Sequence, residues 1–262
     1  MRSTTAALLA LCGHDPAAVQ ALQHLFRPAP HPWPSHIPAA ERAAWTLPLD
    51  DLARWLAVDG RLAALVPARA ERWPVVRQVA HVGGRLCAER ALAALQGQAS
   101  PALFHGHGLA RRPDGSPHWP AGWTGSITHG PRSASAAVCA TRWAGGLGID
   151  SEEIPAPDIA ADVAAVCCTA RERLELTRSG ALDPVQLAIS FAAKEAYYKA
   201  VAPRVGRYVE FDEVEVTVID PARRHCTVVV NGDRPDLQVL APTAEARWAE
   251  VDGAVHLLLA TR

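Results

Sequence analysis

The sequence predicts an α+β protein of two similar α/β halves, each with helices packed on a small antiparallel sheet. Three observations carry this expectation. Two long stretches, Ala39 to Gln96 and Asp183 to Ala200, read as helical from the three- and four-residue spacing of their apolar positions. Short strand-like runs follow each of them: Thr124–His129 and Ala134–Thr141, then Glu210–Asp220 and the segments after it. A glycine pair, Gly145–Gly146, separates the two sets, giving halves at 1–143 and 144–262.

The chain has 262 residues and a formal net charge of −1, enough length for a substantial core and no basic surplus. That balance argues against a general nucleic-acid or acidic-membrane binder, so any anion site must be local. The apolar run Thr5–Cys12 is too short to span a bilayer, and His14, Asp15 and Gln20 spoil it as a secretory signal. Cytoplasmic localisation is the expectation. Cys12, Cys87, Cys139, Cys167, Cys168 and Cys226 show no CxxC spacing and read as reduced thiols.

Residues Arg27–Pro38 carry Pro28, Pro30, Pro32, Pro34 and Pro38, which forbid a long helix or a central strand. Three helical segments are expected next: AERAAW, DDLARWLAVDGRLAAL capped by Asp50 or Asp51, and WPVVRQVAHVGGRLCAERALAALQG. Pro48, Pro67 and Pro74 separate them. On the last helix Arg77 and Arg85 are eight residues apart, a little over two turns. They share one broad face, as an anion clamp or as an ordinary solvated face. Gly83–Gly84 costs the helix about 1 kcal/mol per glycine relative to alanine, which calls for a close approach of something. The Gly/Pro-rich stretch Ser100–Gly122 reads as loop.

In a strand from Leu147 to about Ile154, Asp150 and Glu152 point to one side and Ser151 and Glu153 to the other. Two carboxylates about 4 Å apart repel by roughly 4 kcal/mol at an effective dielectric near 20. Such a pair needs a proton or a cation, and Mg²⁺ favours oxygen donors of this kind; an acidic strand end facing water is the alternative. After Pro155 and Pro157 a helical stretch runs through Arg178 to the Gly180 break. A second helix then begins with Asp183 as N-cap, Pro184 at the first position and Gln186 closing the capping box, and Pro203 should end it. Val185, Ile189, Ala192, Ala196 and Ala200 form its apolar stripe. Glu195 and Lys199 lie together at the edge of that stripe, and Lys194 points elsewhere. As a helix pair alone, Glu195 and Lys199 would contribute about 0.2–0.5 kcal/mol. EFDEVEVTVID, HCTVVV, DLQVLA and AVHLLLA then suggest an antiparallel sheet, with a hairpin at Asn231–Gly232.

GSITH (Gly125–His129), GIDSE (Gly148–Glu152) and FAAKEAYYKA (Phe191–Ala200), in that order, resemble the signature of 4′-phosphopantetheinyl transferases of the surfactin and enterobactin-synthase type. RQVAHVGGRLCAERAL (Arg77–Leu92) looks like that family's arginine-bearing helix, and the run from Pro113 to His129 like the loop and strand before its metal site. The resemblance implies an active site at the interface of the two halves. It implies transfer of the phosphopantetheine arm of coenzyme A to a serine of an apo acyl or peptidyl carrier protein, releasing adenosine 3′,5′-bisphosphate. The metal, Mg²⁺ or Mn²⁺ in its place, would be held by Asp150, Glu152 and Glu195. Glu195, Lys199 and His129 would be catalytic. Arg77, Arg85, Gly115, Ser116, Pro117, Thr128, His129, Lys194 and Lys199 would contact coenzyme A. Ser116 stands where some relatives have a basic residue, Thr128 where many have serine, and Ala80 where acidic residues are common. The implied protein is a monomer that engages carrier proteins and neither nucleic acid nor membrane. A metal-dependent phosphodiesterase and a non-catalytic coenzyme A or carrier-binding protein are the rival classes.

Overall fold

The computed structural model describes residues 16–58, 65–67, 70–97, 109–112, 115–178 and 180–262. The run Thr5–Cys12, the loop residues 100–108, Pro113 and residues 59–64 of the second helical segment lie outside the described residues. The chain forms two compact units. One comprises Pro38–Ala140 with the segment up to Ala29, and the other Thr141–Arg262 with Pro30–Ile37. Among the described residues no helix is long and apolar enough to cross a membrane.

In the first unit, helix α1 (Pro16–Leu25) leads into the two-residue strand β1 (Arg27–Pro28). Strand β2 (Arg42–Pro48), helix α2 (Leu49–Leu56) and helix α3 (Val75–Leu95) follow. Beyond them come β3 (Ala110–Arg111), β4 (Pro117–His118), β5 (Trp123–His129) and β6 (Ser133–Ala140). The four-stranded antiparallel sheet has the order β1-β2-β6-β5, and among the described residues β3 pairs only with β4. Pro28 sits on the edge strand, where its missing N–H leaves no gap in a ladder.

The segment AERAAW is not helical. Its first residues form a 3-10 turn, and the rest is β2, paired from Arg42 opposite Cys139 to Pro48 opposite Ser133. Between that turn and Pro48 the chain is too short to nucleate a stable helix, and Trp45 and Thr46 suit a strand. Pro48 is the N-cap residue of α2, so Asp50 and Asp51 fall in its first turn, where they favour the positive end of the helix dipole.

Helix α3 explains its own glycines. A methyl on Gly84 would lie 2.5 Å from Ile127 Cγ2 of β5, and one on Gly83 would lie 3.0 Å from Leu52 Cδ2 and 3.1 Å from Ala134 Cβ. The helix therefore sits closer to the sheet than any side chain allows. Leu47, Leu52, Leu56, Val82, Leu86 and Val138 fill the core around this contact.

In the second unit, strand β7 (Gly146–Glu153) precedes helices α4 (Ala160–Cys167), α5 (Ala170–Leu176) and α6 (Pro184–Val205). Strands β8 (Val214–Asp220) and β9 (His225–Val230), helix α7 (Pro235–Leu240), and strands β10 (Thr243–Val251) and β11 (Ala254–Thr261) complete it. Its antiparallel sheet runs β7-β11-β10-β9-β8. DLQVLA is helical, not a strand: Pro235 occupies the first turn of α7, and Asn231–Gly232 leads into that helix instead of turning a hairpin. The strand preceding AVHLLLA is β10, whose Thr243–Arg247 pairs with β9.

Helix α6 starts as its cap predicts, with Asp183 Oδ1 accepting from the N–H groups of Val185 (2.9 Å) and Gln186 (3.2 Å). It runs past Pro203 and closes at Gly206, whose φ is 73° and whose N–H donates to Ala202 O. This near the C-terminus, proline removes one backbone donor while the final turn is held by the left-handed glycine. Ala192, Ala196, Ala200, Tyr197 and Val201 pack on the sheet with Leu257 and Leu259 of β11.

The tightest contact in this unit is between α6 and β7. A methyl on Gly148 would lie 1.8 Å from Ala196 O, and one on Gly146 would lie 2.2 Å from Ala200 O. The opposing atoms are backbone and cannot swing aside, so Gly148→Ala is expected to cost about 3 kcal/mol or more. Gly122→Ala, which meets nothing within 4 Å but has a φ of 85°, should cost about 1–2 kcal/mol. Urea denaturation midpoints of the two variants test this; equal losses would show that α6 and β7 can separate at little cost.

Candidate active site

Each unit gathers part of the expected site. In β7 the two-residue repeat turns Asp150 and Glu152 to the same face as Gly146 and Gly148. Because those glycines let α6 lie directly on the strand, the neighbouring side chains of α6 meet the carboxylates. Lys199 leans toward the helix N-terminus, as helical side chains do, and its Nζ donates to Asp150 Oδ1 at 2.5 Å and to Ile149 O at 3.4 Å. Asp150 is buried and Lys199 is a quarter exposed.

The charges here are strongly coupled. Burial, aided by the Asp150 carboxylate and a hydrogen bond to it, pushes Glu152 from 4.5 up to about 8; Glu195 adds to the rise and Lys199 opposes it. Burial also raises Glu195, with Lys199 pulling it down and Asp150 pushing it up. Asp150, Glu152, Glu195 and Lys199 thus form one electrostatic cluster. Among the described residues no group of three or more His, Cys, Asp or Glu side chains is disposed as it stands to hold a metal ion. The donor set nevertheless fits a hard divalent cation: its donors are oxygens, and Glu152, buried beside the Asp150 carboxylate, holds a proton to about pH 8 where a cation could take the proton's place.

Lys194 is elsewhere. Its ammonium is buried and gives three hydrogen bonds, to Glu172 Oε2 (2.6 Å), Phe211 O (2.8 Å) and Cys167 O (2.9 Å). An ammonium has three donors, so none remains for coenzyme A. The expectation of a ligand contact from Lys194 is therefore corrected: it anchors α6 to α4 and α5. Glu172 is held in turn by the backbone N–H groups of Thr169 and Val216, both at 2.7 Å. Among the described residues Cys87, Cys139, Cys167, Cys168 and Cys226 are free and buried, while Cys12 lies outside them.

In the first unit, Arg77, Arg85, Gly115, Pro117 and His129 line one cleft of about 180 Å³, together with Arg111, Trp73 and His81. Arg85 is buried and anchored by Nη1 to Leu109 O (3.0 Å) and Ala110 O (3.3 Å). Arg77 lies 4.6 Å from the centre of the Trp73 ring, and that ring and His81 meet edge to face. Gly115 has a φ of 94°, and a methyl there would lie 2.2 Å from Arg111 Nη2. Two expected members are missing from this lining. Thr128 is buried on the face of β5 opposite Ile127 and His129, because side chains alternate along a strand. Ser116 contributes its carbonyl to a turn, accepting from Arg112 N at 3.0 Å.

Sequence reasoning missed His81 and Arg111. His81 was visible in principle, being four residues from both Arg77 and Arg85 and hence on their face. Arg111 carries no periodic signal and enters the cleft only through the β3–β4 pairing.

Comparison with known proteins follows this division. Residues 63–140 match the 4′-phosphopantetheinyl transferase N-terminal domain, and residues 146–249 match the 4′-phosphopantetheinyl transferase superfamily. The chain is 34% identical over 209 residues to 4′-phosphopantetheinyl transferase Svp of Streptomyces mobaraensis, covering 76% of this chain and 75% of that one. The chain belongs to the 4′-phosphopantetheinyl transferase superfamily. It is also 31% identical to 4′-phosphopantetheinyl transferase Npt of Nocardia iowensis, over 68% of this chain and 80% of that relative. Enterobactin synthase component D of Salmonella typhi is 33% identical over 55% of this chain and 56% of its own length. In this transferase the arginine cleft falls within the N-terminal match and the acidic cluster within the superfamily match.

The raised Glu152 makes a pH prediction for the metal-free transferase. Its folded-state pKa of about 8 lies above the ordinary 4.5, so across that interval the folded chain holds a proton that the unfolded chain releases. The group therefore favours folding below pH 4.5, and its contribution is lost as pH rises toward 8. Glu152→Gln should flatten this decline, raising the melting temperature relative to the parent most at pH 8 and least at pH 5. A parallel shift at both pH values would remove the carboxyl as its source.

Proposed function

We propose that the acidic cluster and the arginine cleft serve the two ends of one coenzyme A. The enzyme transfers the 4′-phosphopantetheine group of coenzyme A to a serine of an acyl or peptidyl carrier protein, releasing adenosine 3′,5′-bisphosphate. The observation that carries the assignment is the clustering of Asp150, Glu152, Glu195 and Lys199, in which burial, with the Asp150 carboxylate beside it, raises Glu152 to about 8.

Asp150, Glu152 and Glu195 would hold Mg²⁺, or Mn²⁺ in its place. The bound cation supplies charge neutralisation to the pyrophosphate, the main electrostatic demand of phosphoryl transfer. Lys199 donates to a phosphate oxygen from the position it takes beside Asp150. Glu195, half-buried and raised in pKa, accepts the serine proton as attack proceeds. Arg77 and Arg85 bind the nucleotide's 3′-phosphate through forked guanidinium groups, with His129 on a second phosphate and Gly115–Pro117 along the adenine. We extend the proposal to a duplicated architecture of two halves, 1–143 and 144–262, each with helices on a small antiparallel sheet, with the reaction at their interface. We place the enzyme in the cytoplasm, in keeping with the buried, unbridged thiols among the described residues, and propose that it acts as a monomer.

Intact-mass spectrometry of apo-carrier proteins incubated with coenzyme A and Mg²⁺ tests this reading, with a phosphopantetheine-sized gain as the expected result. Excess chelator should abolish the gain, and an unchanged rate would refute the metal assignment. Glu195→Gln keeps the size and one oxygen but loses the charge and the basicity, so a rate loss of at least about a hundredfold is expected, with the fold retained. Near-parental turnover would remove Glu195 from the mechanism. Arg77→Ala and Arg85→Ala should weaken coenzyme A more than dephospho-coenzyme A, measured by calorimetry; equal losses would move the 3′-phosphate elsewhere.

A further inference from the structure

Strand β7 bears two of the proposed metal ligands, yet among the described residues it is the edge strand of its sheet and pairs there only with β11. An edge strand is the least constrained part of a sheet, because one of its sides has no neighbouring strand to hold it. The mutual position of Asp150 and Glu152 therefore needs support from outside the ladder.

The support lies on the other face of the strand. Ser151, between the two carboxylates and turned away from them, has its Oγ 3.2 Å from His31 Nε2 and 3.0 Å from His256 Nδ1. His256 stands directly opposite Ser151 on β11. His31 comes from the proline-rich segment Pro30–Ile37, which belongs to this compact unit despite its distance along the chain. All three side chains are buried, and the two imidazoles meet edge to face with ring centres 5.5 Å apart. A serine hydroxyl has one proton, so Ser151 donates to one ring and accepts from the other, giving a directional chain. Burial and His256 hold His31 down to about 3, against the opposing pull of Asp150, so the ring is neutral and adds no charge of its own to the acidic cluster.

We propose that His31 is a positioning residue for the transfer reaction: through Ser151 it pins the edge strand on the face opposite α6 and keeps Asp150 and Glu152 aimed at Glu195 and Lys199. This rests on the transferase reading of the cluster. Residues that orient metal ligands without touching the metal typically matter by about 10–100-fold in affinity or activity.

Two substitutions separate hydrogen bonding from packing. His31→Phe keeps a ring against His256 and removes both nitrogens, while His31→Gln keeps a side-chain N–H near the reach of Nε2. Hydrogen exchange of the metal-free protein, followed by mass spectrometry over residues 149–153, reads the strand directly. Carrier-modification rates against Mg²⁺ concentration, at saturating coenzyme A, read its consequence. His31→Phe should speed exchange in β7 at least about tenfold and raise half-saturating Mg²⁺ by about tenfold, with KM for coenzyme A changed less than about twofold. His31→Gln should restore most of both. Ser151→Ala, which adds no bulk, should match His31→Phe and decides the matter if the phenylalanine variant does not fold. Unchanged exchange and Mg²⁺ dependence in His31→Phe or Ser151→Ala would overturn the proposal, as would a glutamine variant no better than phenylalanine. If the parent enzyme proves independent of metal, the metal assignment fails by itself, and exchange in β7 still decides whether His31 pins the strand.

Discussion

Gly146 and Gly148 present bare backbone to the carbonyls of Ala200 and Ala196, and the chemistry of the C-terminal unit depends on that contact. Four residues of helix advance about 6 Å and two residues of strand about 6.6 Å, so the alanine and glycine repeats keep step along the contact. The next residues on the same face of β7 are Asp150 and Glu152, and the flank of α6 beside those alanines carries Glu195 and Lys199. A larger residue at either glycine would separate the elements and pull the carboxylates from the ammonium. Small residues here do what a hydrophobic core does elsewhere: they set the distance between functional groups.

Two lysines five residues apart on α6 show how burial divides structure from function. Lys194 and Glu172 have side chains 1% and 3% exposed, and each is surrounded by further hydrogen-bond partners. Such a pair contributes little net stability but would be costly to break, because one charge would be left in an apolar interior. Lys199 faces Asp150 with a quarter of its side chain open to water. That exposure lets its partner change, as the role proposed for Lys199 on a phosphate would require.

The N-terminal unit solves a different problem with similar means. Gly83 and Gly84 draw α3 onto the sheet, and the same helix carries Arg77, His81 and Arg85 along the face that borders the cleft. Arg85 is anchored to two backbone carbonyls, while Arg77 lies over Trp73. Guanidinium groups held in this way are already oriented, so the anion binding proposed for them would lose less side-chain entropy.

Local chemistry in the sequence by itself determined the boundaries of the strongest elements, the start of α6 at Asp183–Pro184, the alternation that pairs Asp150 with Glu152, and the arginine face of α3. These follow from short-range geometry, and the ordered motifs pointed to the transferase family. Only tertiary structure decided that AERAAW is a strand, because its pairing partner lies about ninety residues away, whereas the helix at DLQVLA had a local signal in Pro235 that the apolar pattern outweighed. Tertiary structure also assigned Lys194 to a buried ion pair, turned Thr128 away from the cleft, and brought His31 to Ser151 across 120 residues of chain. Periodicity reports which side of its own element a residue occupies. What waits on that side depends on contacts between distant segments, and these are set by packing.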